Sequence, residues 1–275
     1  MKRAIQIIIF SFAFISCDQT ISDDLPITKE SIQGDWVEIS TPESGYLFSN
    51  GFEVTNGFGL QGDSIEMMGG IRWSEYDSLL ELDKEIYHGN FMQYDLKNDT
   101  IWILDPKDSL QKRYFEILNQ RKDTLKVTFF NQDTLFYSRM KYDPVEYFDE
   151  IRFERTFCFG TCPVYKINIK RDGSIVYEGI EYVDSIGKYK AVLNTNQAHF
   201  IFNKFEKAFG VINEKAYSNG GTDNYTILTK LYDDGIQIKS VSDNGAVGPS
   251  SLIWSYVVME DLRKSVKWQK VSKGD

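Results

Sequence analysis

The chain has 275 residues, 42% of them hydrophobic and 15% aromatic, with 19 Phe and 16 Tyr, which is the composition of packed globular protein and leans towards β structure. A formal net charge of −9 sets the protein against phosphate backbones and anionic head groups, so nucleic acid is excluded as an expected partner. Two histidines, His88 and His199, and three cysteines leave little from which to build a zinc or iron site, and neither a metal nor a cofactor is expected.

The first element is Met1-Lys2-Arg3, an apolar run from Ala4 to Ile15 and a small Ser16 before Cys17, the order of a secretory signal. So short a run cannot cross about 30 Å of hydrocarbon, which needs about 20 residues. Phe14-Ile15-Ser16-Cys17 resembles the lipobox of bacterial lipoproteins, with Phe14 where Leu is usual. The resemblance implies a signal peptide over 1–16, acylation of Cys17 and a lipid anchor in the bacterial cell envelope, at the outer membrane, on its periplasmic or surface face. Loss of Lys2 and Arg3 takes the charge from −9 to −11. Residues 17–30 are polar and acidic, an expected flexible tether, and Ser22-Asp23-Asp24 is similar to short signals that send some Bacteroidota lipoproteins to the cell surface.

What remains suffices for two domains of roughly 100–150 residues. Over 31–142 short alternating or wholly apolar runs are separated by turn residues at spacings of roughly 8–12, which predicts an antiparallel β-meander. Phe91–Leu96 and Thr100–Leu104 flank Lys97-Asn98-Asp99; Arg113–Leu118, Leu125–Phe130 and Leu135–Arg139 follow. A recurring Asp-Thr/Ser-Leu/Ile step at Asp99, Asp108, Asp123 and Asp133 puts a turn former before each strand. The Gly-rich segment Gly51–Gly70, with Phe52, Phe58, Met67 and Met68, suits a long loop over a barrel mouth or an irregular edge.

Gly34-Asp35-Trp36 opens the first strand and Arg139 lies near the end of the last, a pattern that resembles lipocalins. The resemblance implies a barrel whose floor tryptophan, Trp36, packs under Arg139, with room inside for one small apolar ligand.

Tyr142-Asp143-Pro144 marks the boundary, since Pro144 cannot donate to a ladder and biases Asp143 away from helix. An α+β domain is expected over 145–270, two strand groups each followed by a helix. Ile151–Phe157, a hairpin of Val164–Lys170 and Ser174–Glu178 around Arg171-Asp172-Gly173, and Gly187–Leu193 are the first group. Ala198, Ile201, Phe202, Phe205, Ala208 and Phe209 then recur at three and four residues, behind Asn194-Thr195-Asn196 and ahead of Gly210, as an amphipathic helix with both end signals. Tyr225–Tyr232 and Ile236–Val241 make a second hairpin around Asp233-Asp234-Gly235, and Pro249 suits the first position of a last helix with Leu252, Ile253, Tyr256, Val257 and Leu262 on one face.

Cys158-Phe159-Gly160-Thr161-Cys162-Pro163-Val164-Tyr165, followed by Asp172-Gly173 and by Tyr177-Glu178-Gly179, is the most specific string. It closely resembles the bacterial family called domain of unknown function 6438, from about Glu150 to Trp268. An acidic residue after the first helix also fits, at Asp223, although Asn224-Tyr225-Thr226 stands where the family usually has Leu-Pro-Thr. The resemblance implies an envelope lipoprotein architecture and no established activity.

With Cys17 consumed by lipid, Cys158 and Cys162 are an even remainder, which in an oxidising compartment reads as one disulfide. Extended, they would stand about 13 Å apart, beyond disulfide reach, so the chain must turn between them, with Gly160 permitting the turn and Pro163 launching the next strand. A redox-active dithiol and a metal or binding loop are the other readings of this pair. Reactive thiols favour a helix N-terminus or a cationic neighbour; Arg152 and Arg155 in the preceding strand could supply the second. Tyr165 and Tyr177 are expected to pair across their hairpin, His199 to flank its helix, and Glu178, Asp172 and Asp223 have no second acid at a spacing that makes a catalytic pair. The sequence holds no Gly-Lys-Ser/Thr phosphate loop, no His-Glu-x-x-His and no Gly-x-Ser-x-Gly. The expectation is a lipid-anchored envelope protein, non-enzymatic, that binds a small apolar ligand or an envelope partner. A thiol-dependent redox protein or a purely structural lipoprotein are the alternatives.

Overall fold

The computed structural model describes residues 24–39, 47–49, 52–54, 57–77, 82–87, 89–105, 108–129 and 134–272, with the backbone alone described for 47–49, 52–54, 72–77 and 82–87. The expected signal, Cys17, the start of the expected tether and part of the 51–70 segment lie outside the described residues.

The meander closes on itself. Its strands are β1 (Gly34–Glu38), β2 (Leu47–Ser49), β3 (Phe52–Val54), β4 (Gly57–Gln61), β5 (Ser64–Met67), β6 (Arg72–Asp77), β7 (Leu82–Tyr87), β8 (Phe91–Lys97), β9 (Thr100–Leu104), β10 (Gln111–Arg121), β11 (Thr124–Phe129) and β12 (Thr134–Arg139). Eight of them form a closed antiparallel barrel in the order β1-β12-β11-β10-β9-β8-β5-β4, while β2–β3 and β6–β7 are separate hairpins. Local chemistry sets the turns: between β8 and β9, Asn98 and Asp99 take φ of 49° and 58°, the left-handed pair that a two-residue hairpin needs and that short Asn and Asp side chains tolerate.

The 51–70 segment is not a loop over the barrel mouth where it is described. Gly57–Gln61 and Ser64–Met67 are barrel strands, and Phe58 and Met68 are buried. Gly59 serves a close approach, since a methyl group there would meet Asp35 Oδ1 at 2.6 Å and the Trp254 ring at 3.3 Å. The barrel interior is occupied by Phe58, Phe115, Phe129 and Tyr137, the Phe58 ring lying 5.1 Å from Phe115 and 5.0 Å from Tyr137. Ile65, Ile101, Leu125 and Val127 pack around them.

Beyond a coil over 140–149 come β13 (Glu150–Arg155), β14 (Val164–Lys170), β15 (Ser174–Glu181), β16 (Gly187–Val192), α1 (Thr195–Phe209), β17 (Ala216–Ser218), β18 (Thr226–Asp233), β19 (Ile236–Asn244), α2 (Ser250–Ser265) and β20 (Gln269–Lys270). The two expected strand groups merge into one eight-stranded sheet, ordered β17-β19-β18-β13-β14-β15-β16-β20, because β18 pairs with β13. Only β17 and β19 run parallel among the described strands of this sheet.

Helix α1 starts on a full capping box, in which Asn194 accepts from the Gln197 N–H and the Gln197 side chain accepts from the Asn194 N–H. Its six expected apolar positions are all buried. Gly210 ends the helix for another reason than a left-handed cap: its φ is −73°, and a methyl group there would lie 2.4 Å from the Asp143 carbonyl oxygen. Helix α2 departs from the expected single apolar face. Every residue from Ser251 to Arg263 is buried, since the helix packs on the sheet and also meets the barrel at Gly59 through Trp254. Pro249 is its N-cap, one residue before the expected position.

The barrel and the helix layer meet through charge. Lys204 of α1 reaches Glu66 of β5 at 2.6 Å, and Lys207 reaches Asp35 of β1 at 2.6 Å. Tyr142 donates its hydroxyl proton to Asp35 at 2.7 Å, and Phe91 meets Phe200 edge to face at 5.1 Å. Among the described residues no helix is long and apolar enough to cross a membrane.

Candidate functional site

One end of the second sheet gathers most of the singled-out residues. Register fixes this end: Arg155 lies opposite Tyr165 and Ile227, Tyr165 opposite Gly179, and Gly179 opposite Gly187. The 156–163, 182–186 and 219–225 connections therefore emerge side by side.

Cys158 and Cys162 are joined as a disulfide with Cα atoms 5.8 Å apart, which closes the small loop expected between them. Gly160, at φ 149°, supplies a backbone angle that residues with a Cβ rarely adopt, and Pro163 precedes β14 directly. Asp223 acts through its backbone: its carbonyl oxygen accepts the Phe159 N–H at 3.0 Å, tying the loop to the neighbouring connection. The loop is thus held at its base and at its tip, and it presents Phe159 at 89% exposure and Phe157 at 58%. Tyr182, Ile186 and Val247 are exposed at the same end.

Beneath this rim lies a buried charge cluster that sequence reasoning did not assemble. Glu260 of α2 accepts the Tyr165 hydroxyl proton at 2.6 Å and two Arg263 contacts, from Nε at 3.1 Å and Nη2 at 2.5 Å. Arg155 Nη1 lies 3.8 Å from the same carboxylate, and the Arg155 guanidinium stacks on Tyr225 at 4.0 Å. Burial pushes the Glu260 carboxyl up, but hydrogen bonds and charge from Arg263, the Tyr165 hydroxyl and Arg155 outweigh it and hold Glu260 below the ordinary glutamate range. Burial, then the Glu260 charge, drives Tyr165 well above an ordinary phenol. The available signal was Glu260, Arg263 and Lys264 at helical spacing, which places both cations over one acid. Arg155, one of the cations expected near the thiols, is committed to Glu260 and Tyr225.

The hairpin residues correct one expectation. Tyr177 lies opposite Ile167 and Tyr165 opposite Gly179, so the two tyrosines are diagonal neighbours, 6.1 Å between ring centroids, and not a direct pair. Gly179 leaves room for the Ser185 carbonyl and the Tyr177 hydroxyl. Asp172 and Gly173 sit at the opposite end of the sheet, where Asp172 Oδ1 accepts the Ser174 N–H at 2.8 Å and Gly173, at φ 90°, receives the Leu193 backbone. Those two make a turn and do not join the site.

The barrel-floor pair also lies apart from it. Trp36 and Arg139 are register partners of β1 and β12, and the guanidinium lies 4.2 Å from the centre of the Trp36 ring. Arg139 donates to the carbonyls of Gln33, of Ser31 at 2.7 Å and of Lys122 at 3.2 Å, and Trp36 Nε1 donates to the Ile32 carbonyl at 2.9 Å. This arrangement ties β1 and β12 to the 31–33 and 122 backbone. His199 is exposed on α1, and no group of three or more His, Cys, Asp or Glu among the described residues could hold a metal ion.

With that geometry in place, residues 149–263 match the family described as Domain of unknown function (DUF6438), a span that takes in the disulfide loop, α1, most of α2 and the Glu260 cluster. No curated protein and no solved structure matches the chain.

Proposed function

We propose that this is a non-enzymatic, lipid-anchored protein of the bacterial envelope, held at the outer membrane through Cys17, whose C-terminal domain engages an envelope partner through the disulfide loop. The observation that carries the reading is Phe159, almost wholly exposed on a loop fixed by a disulfide and by the Asp223 carbonyl. An apolar side chain displayed on pre-ordered backbone loses little freedom on binding, and aromatic residues of this kind dominate interface energetics. The aromatic packing inside the barrel weighs towards a partner and away from an apolar ligand there. The Trp36–Arg139 stack supports a lipocalin-like reading of the N-terminal domain, as a scaffold. Against a thiol-exchange role, Cys162 leads into Pro163 and a strand where a reactive thiol favours a helix N-terminus.

Two experiments test the proposal. Labelled palmitate should enter the wild type and not Cys17→Ala; equal labelling removes the anchor. A photoreactive residue at position 159 should give a discrete adduct in the envelope that is absent from position 236, which is exposed at the other end of the sheet. Identical adducts from both positions, or no discrete adduct from position 159, would remove the loop as the contact.

A further inference from the structure

A groove of about 290 Å³ opens beside the disulfide rim, near the lower limit of small-molecule sites. Three of its walls are aromatic: Tyr177 lies 5.1 Å from Trp268 and 6.0 Å from Tyr189 between ring centroids. At its base Arg263, a side chain only 6% exposed, spends Nε and Nη2 on Glu260 and turns Nη1 towards Asp184 Oδ2 at 3.5 Å. Lys264 adds a second cation, 3.6 Å from the same Glu260 oxygen.

Two features of this groove are unusual for a purely structural cluster. Asp184 is 89% exposed on the 182–186 connection, so, with Glu260 already countering the guanidinium from behind, its contact with the outward Nη1 comes from almost full solvent, where it is worth little. The Tyr177 side chain is 1% exposed, and its hydroxyl has no hydrogen-bond acceptor among the described residues, although a buried donor without an acceptor is costly. A guanidinium whose outward Nη1 has only a weak, exposed partner, an unanswered hydroxyl donor and aromatic walls form one recognition surface for a flat body ending in a single negative charge.

We propose that this groove binds a small organic carboxylate, its ring or flat apolar body lying among Tyr177, Tyr189 and Trp268 and its carboxylate replacing Asp184 at Arg263. The Tyr177 hydroxyl donates to the second carboxylate oxygen, and Asp184 is a built-in competitor that leaves when ligand arrives. A monoanion suits the site better than a phosphate, because Glu260 behind Arg263 repels a second negative charge. The site stands apart from the loop contact proposed above and does not depend on it.

The test is a calorimetric titration of the full chain with benzoate and with benzyl alcohol, its neutral isostere, followed by benzoate titrations of Asp184→Asn and Tyr177→Phe. Benzoate should saturate at millimolar concentration and benzyl alcohol should bind about tenfold more weakly or worse, the value of one charge-assisted hydrogen bond. Asp184→Asn should tighten benzoate severalfold and Tyr177→Phe should weaken it, both with unchanged melting behaviour. Equal binding of benzoate and benzyl alcohol, an unaltered affinity in Asp184→Asn, or no binding of benzoate to either form overturns the proposal. A short peptide ending in Phe and its C-terminal amide separate the two sources of such a group. Preference for the free-acid peptide over benzoate assigns the groove to a chain end, and preference for benzoate assigns it to a free small carboxylate.

Discussion

A methyl group on Gly179 would stand 1.9 Å from the Ser185 carbonyl oxygen and 2.6 Å from the Tyr177 hydroxyl, both inside the hairpin that shapes the aromatic groove. The Ser185 carbonyl cannot retreat without moving backbone, so Gly179→Ala is expected to cost about 2–3 kcal/mol, as overpacking does, and urea unfolding measures it. Gly62→Ala is the control, since nothing lies within 4 Å and only its φ of 58° is at stake, about 1 kcal/mol. A Gly179 loss no larger than the control loss would show that small shifts relieve the crowding and that it does not hold Gly179 in place. Removal of the disulfide by the double Cys158→Ser, Cys162→Ser change is expected to cost about 2 kcal/mol, because so short a loop restricts the unfolded chain only modestly. A loss twice that size would mean the loop braces the Glu260 cluster beneath it. At this scale the sequence speaks clearly where chemistry is local. The Asn98-Asp99 and Arg171-Asp172-Gly173 turns and the Asn194 cap are legible because their partners lie within a few residues. Gly179 reads only as a motif glycine, since its reason is a carbonyl delivered by the next turn.

Helices α1 and α2 show what periodicity can and cannot reveal. The three-and-four spacing in α1 identifies its apolar face, but Lys204 falls among those buried positions, 3.3 Å over the Trp254 ring and within 2.6 Å of Glu66. Nothing in the pattern marks a lysine as buried, because its partner sits 138 positions away in the barrel. For α2 a single apolar face is expected and burial on all sides is found, since a helix between two bodies has no free side and its Ser and Glu positions are enclosed with the rest. The Lys204–Glu66 contact invites a double-mutant cycle. Lys204→Met alone leaves an uncompensated buried carboxylate and is expected to cost about 3–5 kcal/mol, whereas Lys204→Met with Glu66→Leu should recover most of that loss, since apolar replacement of a buried pair is often neutral. Denaturant midpoints of the four proteins give the coupling. Additive losses would show that the two side chains do not act as a pair. At the barrel floor, Arg139→Lys is expected to cost about 1–3 kcal/mol, because one ammonium cannot reach the three carbonyls that the guanidinium fork bridges while stacking on Trp36.

For the molecule as a whole, the strand order is the least legible feature: β18 joins β13 across 70 intervening residues, and only tertiary packing decides that pairing. The same holds for the barrel–helix junction, whose four charged groups come from β1, β5 and α1. Their titration makes the junction pH-sensitive in a definite sense. Burial pushes Asp35 up, but Lys204, Lys207 and the Tyr142 hydroxyl overcome it and hold Asp35 below the ordinary aspartate range. A depressed carboxyl contributes stability that is present above its unfolded value and lost as pH falls through the lower folded value. Glu66 behaves in the opposite way: burial outweighs Lys204 and raises it, so its contribution is complete below the ordinary glutamate value and fades as pH rises through the elevated one. Burial acts on Lys204 in the same direction, lowering it, so both members of the enclosed pair are drawn towards neutrality. The junction should therefore be strongest in mildly acidic solution, above the aspartate range and below the raised Glu66 value, and weaken on both sides. Urea midpoints recorded across pH should trace that maximum in the wild type. Glu66→Gln, which still accepts from Lys204, should flatten the alkaline limb, and Asp35→Asn should flatten the acid limb. A profile that keeps both limbs in both variants would place the titrating groups elsewhere, with the Glu260 cluster the next to examine, because its depressed carboxylate also loses its contribution on the acid side.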